Sequence, residues 1–584
     1  MTEQQLFSFI ISNKLLLLHI IHYSQYIYME NRFLGVLEQS IRKNWELPAL
    51  TDYQGETIHY KKFALSIAKL HAYFKAGGVK KGDKIALCGR NSSNWAIAFF
   101  GTLSYGAVVV SILHEFDKGS VEYIVDHSDA KVFFADKAIY DKIDIEAIPQ
   151  LETVVSLDDF SLLHSQSEEL KSFFDNQEAY FKKLFTKNFT ANDIDWHKEK
   201  PDEMAIINYT SGTTSSPKGV MIPYRSVWSN NKYANDNVPF IQSGDDVVCM
   251  LPMAHTYGLA FEIIKSLTLG CHVHFLGKVP SPRIIKEEFA KYKPKLILSV
   301  PLIIEKVVQG NVMPALQKEP INTLLKIPIV RTFVRRKIKT QLMDFFGGNA
   351  GEFIIGGASL NEEVEKLLMD IKFPFTVGYG MTETSPLIGY VRWQDFRSQS
   401  CGKVVDRMEV KVDSPDPQNI AGEFLVKGMN VMLGYYKNEE ATKEAFTPDG
   451  WMRTGDLGVM DKDGFMYIKG RNKNLILGSG GQNIYPEEIE EKLNNLPCVQ
   501  EALAIEEDGK VVALIYPNTD ALKAKGIKPE DYEKHFEEQI KEVNDNLPAY
   551  SKIRSFRLQD EEFEKTPKRS IRRFKYMEGG GSKS

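Results

Sequence analysis

Tyr209-Thr210-Ser211-Gly212-Thr213-Thr214-Ser215-Ser216-Pro217-Lys218-Gly219 is the stretch on which the reading of this chain turns. It follows the strand-like run Ala205-Ile206-Ile207. Its hydroxyls, glycines and single lysine make a loop rich in hydrogen-bond donors. Such a loop can cradle phosphate oxygens, and Lys218 can neutralise charge as phosphates separate. It lacks the glycine before the lysine and the Ser/Thr after it that a Walker A loop requires. Composition alone allows a flexible surface loop equally well.

Outward from this stretch, apolar runs alternate with helical patterns. On the N-terminal side, Val36 to about Phe74 reads as helical with one strand-like break at Glu56–Tyr60. Strand-like Ile85–Cys88, Ala107–Ile112 and Val132–Ala135 flank a helix over Trp95–Leu103. On the C-terminal side the apolar runs are Val247–Leu251, His272–Leu276, Leu296–Val300 and Glu352–Ile355. This alternation predicts an α/β fold with doubly wound sheets. After about Gly470 the chain becomes more charged and its elements shorter. Pro486 followed by Glu487 and Glu488 suits a helix start, where proline fits the first turn and acids meet the positive end of the dipole. A small α+β domain of roughly 100 residues is expected there. The expected divisions are an extension over 1–28, a large domain over 29–471, a small domain over 472–577 and a flexible tail over 578–584.

Three further stretches carry candidate chemistry. In Gly378-Tyr379-Gly380-Met381-Thr382-Glu383-Thr384, Tyr379 offers a face to a base, Thr382 a hydroxyl to a phosphate and Glu383 hard oxygen to Mg²⁺. In Gly450-Trp451-Met452-Arg453-Thr454-Gly455-Asp456, an Asp on a tight turn can accept both hydroxyls of a ribose. Gly470-Arg471-Asn472-Lys473-Asn474, then Gly478-Ser479-Gly480-Gly481-Gln482, suits a hinge and a close backbone approach to a ligand. Each taken singly also reads as an ordinary turn.

Together, and in this order, the four stretches resemble the adenylate-forming superfamily of acyl-CoA synthetases, luciferases and peptide-synthetase adenylation domains, over about residues 33–576. The resemblance implies that Thr210, Ser211, Gly212, Thr213, Thr214 and Lys218 hold the ATP phosphates. It assigns Tyr379, Gly380, Thr382 and Glu383 to adenine stacking, phosphate contact and Mg²⁺ binding, with Glu383 as the metal ligand. Gly356-Gly357-Ala358-Ser359 is similar to the adenine-side loop, and Asp456 and Arg471 to the ribose-binding pair. Lys473 matches a hinge about which a mobile small domain turns, presenting Ser479, Gly480 and Gly481 to the pantetheine thiol of coenzyme A. Within the superfamily the chain looks most like long-chain fatty acid–CoA ligases. Leu251-Pro252-Met253-Ala254-His255 resembles their loop near the acyl pocket, with His255 as a catalytic candidate or else a satisfied core histidine. Val300–Val307 and Met432–Tyr436 resemble the same branch. One departure stands out. Aligned on Thr566-Pro567 and Ile571, the family's C-terminal lysine falls on Ser570, and Lys568, Arg569 or a slow adenylation step are the alternatives. Lys568 is the residue selected here, because lysine's compact charge on a flexible stem suits a relocated role.

The implied reaction is attack of a carboxylate, expected to be a fatty acid, on the α-phosphate of ATP, followed by transfer of the acyl group from AMP to the thiol. Loading of a carrier protein, or nucleotide binding with impaired catalysis, are the other readings. The 584 residues, 43% hydrophobic and 26% charged, suit a soluble multidomain protein, and a net charge of −5 argues against a general nucleic-acid binder. The five cysteines form no C-x-x-C pair, which fits reduced thiols and a cytoplasmic place. H-E-x-x-H, G-x-S-x-G and G-x-G-x-x-G motifs are absent from the sequence. The apolar pieces Phe7–Ile11 and Leu15–Ile21 are each shorter than the roughly 20 residues needed to span a bilayer. Arg331–Lys339 mixes basic and apolar residues at helical spacing, which reads either as a weak membrane-surface contact or as a solvated helix face. Oligomeric state is not legible.

Overall fold

The computed structural model describes residues 31–185, 188–210, 217–278, 280–313, 316, 327–477, 482–566 and 571–577. The expected extension over 1–28 and the tail over 578–584 lie outside them.

The largest sheet has eight described strands. In spatial order these are Gly434–Tyr435, Lys218–Pro223, Met204–Thr210, Val108–Ile112, Lys84–Cys88, Ala130–Ala135, Thr153–Ser156 and Leu162–Ser165. Its centre is parallel, and Val108–Ile112 is buried at every position, as a strand covered on both faces must be. The helix Ser93–Tyr105 crosses over beside it. Ser92 caps this helix through Trp95 N–H, and Gly106 ends it at φ +90°. A second sheet orders Asp246–Cys249, His272–Phe275, Pro48–Asp52 and Thr57–His59. A third, all parallel, joins Leu296–Ser299, Glu352–Ile355 and Phe375–Val377. Beyond these lie antiparallel sheets over 379–404 and 408–471.

The α/β architecture with a smaller C-terminal α+β part is the one the sequence predicts. One local reading is corrected. The segment 36–74 contains a second strand, Pro48–Asp52, which pairs parallel with His272–Phe275 far along the chain. Helical periodicity hides it because it is short and its partner is remote. The donor-rich loop joins two antiparallel strands: Met204–Thr210 pairs with Lys218–Pro223, and Thr210 lies opposite Lys218.

Buried side chains form one large cluster from Phe33 to Met466. A separate cluster runs from Ile476 to Ile553 under the sheet Val499–Glu507, Lys510–Pro517 and Ile553–Leu558. Leu503, Ile505, Val512, Leu514 and Phe563 pack on the other face of that sheet. The turn Asn472–Asn474 lies between the two main clusters. Among the described residues no helix is long and apolar enough to cross a membrane.

Candidate active site

A cleft of about 1890 Å³ collects most of the described candidate residues on its wall. The volume exceeds the roughly 300–1,000 Å³ of an ordinary small-ligand pocket, so the cleft has room for a nucleotide and an elongated second substrate.

Thr210 and Lys218 stand on this wall, held opposite one another by the hairpin. Ser211, Gly212, Thr213 and Thr214 lie outside the described residues. Gly219 cannot carry a side chain here, because a Cβ would come within 2.9 Å of Ile207. The Lys218 ammonium lies 5.4 Å from the centre of the Tyr435 ring. The Tyr435 hydroxyl donates to Glu383 Oε1 at 2.9 Å. Lysine, tyrosine and carboxylate are thereby joined in one chain of contacts across the cleft.

Tyr379 and Gly380 form a two-residue strand against Leu387–Tyr390, and Thr382–Thr384 make one 3₁₀ turn. A Cβ on Gly380 would meet the Pro386 carbonyl at 2.0 Å, so the tight return demands glycine. Asn230 braces the return by donating to the Thr384 carbonyl and accepting from Leu387 N–H. Gly356, Gly357, Ala358 and Ser359 follow the strand Glu352–Ile355 and also line the cleft. Gly357 sits at φ +90°, a conformation that favours glycine.

Asp456 is not on a tight turn. It lies inside the strand Met452–Met460, is 5% exposed, and pairs in register with Arg471. Arg471 Nε is 3.0 Å from Asp456 Oδ1, and the Tyr379 hydroxyl donates to Oδ2 at 2.8 Å. The expected ribose acceptor is therefore held by two of the other candidates, and Arg471 and Thr454 line the cleft in front of it. The Asp456 carboxylate beside Arg471 raises the guanidinium further above its ordinary value. Lys473, at the centre of the turn Asn472–Asn474, also faces the cleft. Burial and the neighbouring Arg471 charge lower its ammonium below the usual lysine range.

His255 begins a helix, accepting from Tyr257 N–H at Nδ1 over 3.3 Å while lining the cleft. The same wall includes the apolar side chains of Val238, Met250, Phe261, Leu276 and Val300. From the C-terminal part, Lys565, Thr566, Ile571 and Arg572 reach the same cleft. Lys565 and Ile571 pair as a bridge, and Lys565 is ion-paired with Glu501 at 2.7 Å. Lys568, Arg569 and Ser570, between them, lie outside the described residues, as do Ser479, Gly480 and Gly481.

The AMP-binding enzyme family matches residues 37–436, and the C-terminal domain of AMP-binding enzymes matches residues 473–579. The chain belongs to the AMP-binding enzyme family. Among its relatives is the probable chloroplastic acyl-activating enzyme 16 of Arabidopsis thaliana, 27% identical over 80% of this chain and 73% of that protein. Another is long-chain-fatty-acid–CoA ligase 1 of Saccharomyces cerevisiae, 26% identical over 82% and 74%. The fold is shared with the o-succinylbenzoate–CoA synthetase of Bacillus subtilis solved with its acyl-adenylate, at 21% identity, TM-score 0.71, and 93% and 97% coverage. It is shared equally with ATP-bound MatB from Rhodopseudomonas palustris, at 22% identity, TM-score 0.72, and 92% and 97% coverage. The AMP-binding enzyme thus falls in the adenylate-forming class, near acid–CoA ligases.

Sequence reading did not single out Tyr435, Asn230 and Thr454 as site residues. Their roles come from cross-strand and long-range contacts. Tyr435 and Thr454 carried a signal, by lying in the Met432–Tyr436 and Gly450–Asp456 stretches; Asn230 carried none.

Proposed function

We propose that the protein is an ATP-dependent fatty acid–CoA ligase. It forms an acyl-adenylate with release of pyrophosphate, then acyl-CoA and AMP. The observation that carries this reading is the mixed character of one cleft. Its wall carries Lys218, Glu383, Arg471 and Lys473 together with the apolar Val238, Met250, Phe261, Leu276 and Val300. A carboxylate is a poor electrophile, because oxide would have to leave; joining it to AMP supplies a good leaving group. Charge builds on the phosphates as the anhydride forms, so positioning and fixed positive charge supply most of the catalysis. Thr210, Lys218 and Arg471 would orient the nucleotide. The half-buried Glu383 carboxylate, already oriented by Tyr435, offers the hard oxygen that suits Mg²⁺, and it would hold that ion with Thr382 beside it. When bound, the metal neutralises phosphate charge. His255 would border the reacting carboxylate, and coenzyme A would enter from the C-terminal side of the cleft. A cytoplasmic place, with weak contact at a membrane surface, suits a substrate that partitions into lipid.

The test is a panel of acids from acetate to oleate, read as AMP release and consumption of free coenzyme A. Acid-dependent AMP release with thiol consumption, strongest for the longer acids, is expected. AMP formation that leaves free coenzyme A untouched would instead indicate loading of a carrier. No acid-dependent exchange of pyrophosphate into ATP would reduce the protein to a nucleotide binder.

A further inference from the structure

One continuous helical rod lines part of the cleft. It starts at Thr256, passes through the π-helical turns Leu259–Ile264, and ends as Lys265–Leu269. π-turns recur at functional sites, and their wider i→i+5 spacing allows residues four apart to stay on one face. Tyr257, Phe261 and Lys265 have this spacing, and all three line the cleft. Tyr257 lies at the nucleotide end, where a Cβ on Gly356 would come 3.3 Å from its ring. Lys265 is eight residues further on, roughly 10–12 Å along the rod at the rise of a helix.

Lys265 is only 1% exposed, and its Nζ has no hydrogen-bond partner among the described residues. Neither nearby acid hydrogen-bonds to it. Asp245 is ion-paired with Lys295 at 2.7 Å. Glu262, three residues earlier, accepts from Leu251 N–H at 3.0 Å through Oε2, and its Oε1 is buried without a partner among the described residues. The Cys271 thiol donates to the Gln242 carbonyl, and burial pushes it up to about 12, so it offers no anion. Burial also lowers Lys265 itself to about 8. An unmatched buried ammonium on a wall that Tyr257 and Phe261 also line is poor complementarity for a methyl group and good complementarity for an anion.

We infer that Lys265 is a specificity-determining residue that pairs with a second carboxylate at the far end of the substrate, so that the preferred acids are α,ω-dicarboxylic acids. This rests on the acid–CoA ligase reading and narrows it. In the ligand-bound state the Lys265 ammonium donates to the distal carboxylate, while the other carboxylate lies near His255 and Lys218 for reaction.

The experiment compares nonanedioic and nonanoic acid, and neighbouring lengths of about eight to twelve carbons chosen from that span at roughly 1.2 Å per extended bond. Wild type and Lys265→Met are assayed with ATP and coenzyme A, and binding of each acid is measured by calorimetry. Wild type should favour a diacid over its methyl-ended partner at least tenfold in kcat/KM, and Lys265→Met should reverse that order. Lys265→Gln, which keeps a donor but not the charge, should lose the diacid preference and serves if the methionine variant does not fold. A wild-type preference for methyl-ended acids, or a preference ratio unmoved in both variants, overturns the inference while leaving the ligase reading intact. Diacid binding that weakens tenfold in the variants, with no AMP formed from any acid, would sustain the inference and sink the ligase reading.

Discussion

At the residue scale, Glu383 is the side chain whose charge matters most to the proposed chemistry. Glu383→Gln keeps an oxygen for the Tyr435 hydroxyl and so preserves the local fold, but removes the negative charge that would hold Mg²⁺. AMP formation should fall by two orders of magnitude or more, about 3 kcal/mol of barrier. Near-normal AMP release from this variant would remove Glu383 from the metal site. Glu262 makes a separate point about stability. Burial pushes its carboxyl up to about 8, against an ordinary value of 4.5. The folded state therefore holds a proton that the unfolded state releases as pH rises through the ordinary range. Its favourable contribution is complete below about 4.5 and declines until pH passes the folded value near 8. Glu262→Gln keeps the acceptor for Leu251 N–H without this titration. The melting temperature of the variant relative to wild type should therefore rise by about 2 °C or more between pH 5 and pH 8. A difference that is the same at both pH values would show that Glu262 does not titrate in this way.

At the scale of elements, the helix Pro328–Phe345 is the one to test. It buries Ile338 and Leu342, yet leaves Ile329 83% and Phe333 69% exposed beside Arg331, Arg336 and Lys337. Lone exposed apolar residues are common, but two of them among several cations make a surface that can rest on anionic lipid. Flotation with anionic vesicles at low salt should carry a detectable fraction of the protein, and Phe333→Ser with Ile329→Ser should abolish that fraction. Wild-type protein that stays wholly in the dense phase would mark the helix as an ordinary solvated face. This pattern of cations and apolar residues is local and was legible in the sequence. The strand Pro48–Asp52 was not, because its pairing with His272–Phe275 joins residues more than 200 positions apart.

At the scale of the whole molecule, two buried clusters meet near the turn Asn472–Asn474, with both parts contributing to one cleft. Among the contacts that join the parts, Asn361 donates to Asn495 and Lys469 is ion-paired with Glu488 at 3.2 Å. A reaction in two steps, adenylation and then thiol transfer, is served by a unit that can turn about this point. Lys473→Pro fixes φ within the turn and should restrict that motion. Formation of acyl-AMP should persist while conversion of preformed acyl-AMP to the thioester falls at least tenfold. Equal loss of both half-reactions in a folded variant would place Lys473 in the chemistry itself and not in a hinge.

The sequence by itself determined the class of fold and the chemical types of the polar groups on the cleft wall. Strand–helix alternation, the donor-rich loop and the Tyr379–Glu383 stretch are local patterns, and each keeps its meaning wherever the chain later carries it. Tertiary structure alone decided how those groups are held. Asp456 reads as a turn residue because Gly455 precedes it, but strand pairing with Arg471 turns it into a buried support for Tyr379. No local pattern marks Lys265. Packing of its helix against the helix Phe33–Lys43, more than 200 positions away, buries its ammonium at the cleft wall. Burial and pairing arise from residues far apart in the chain, and local sequence carries no record of them.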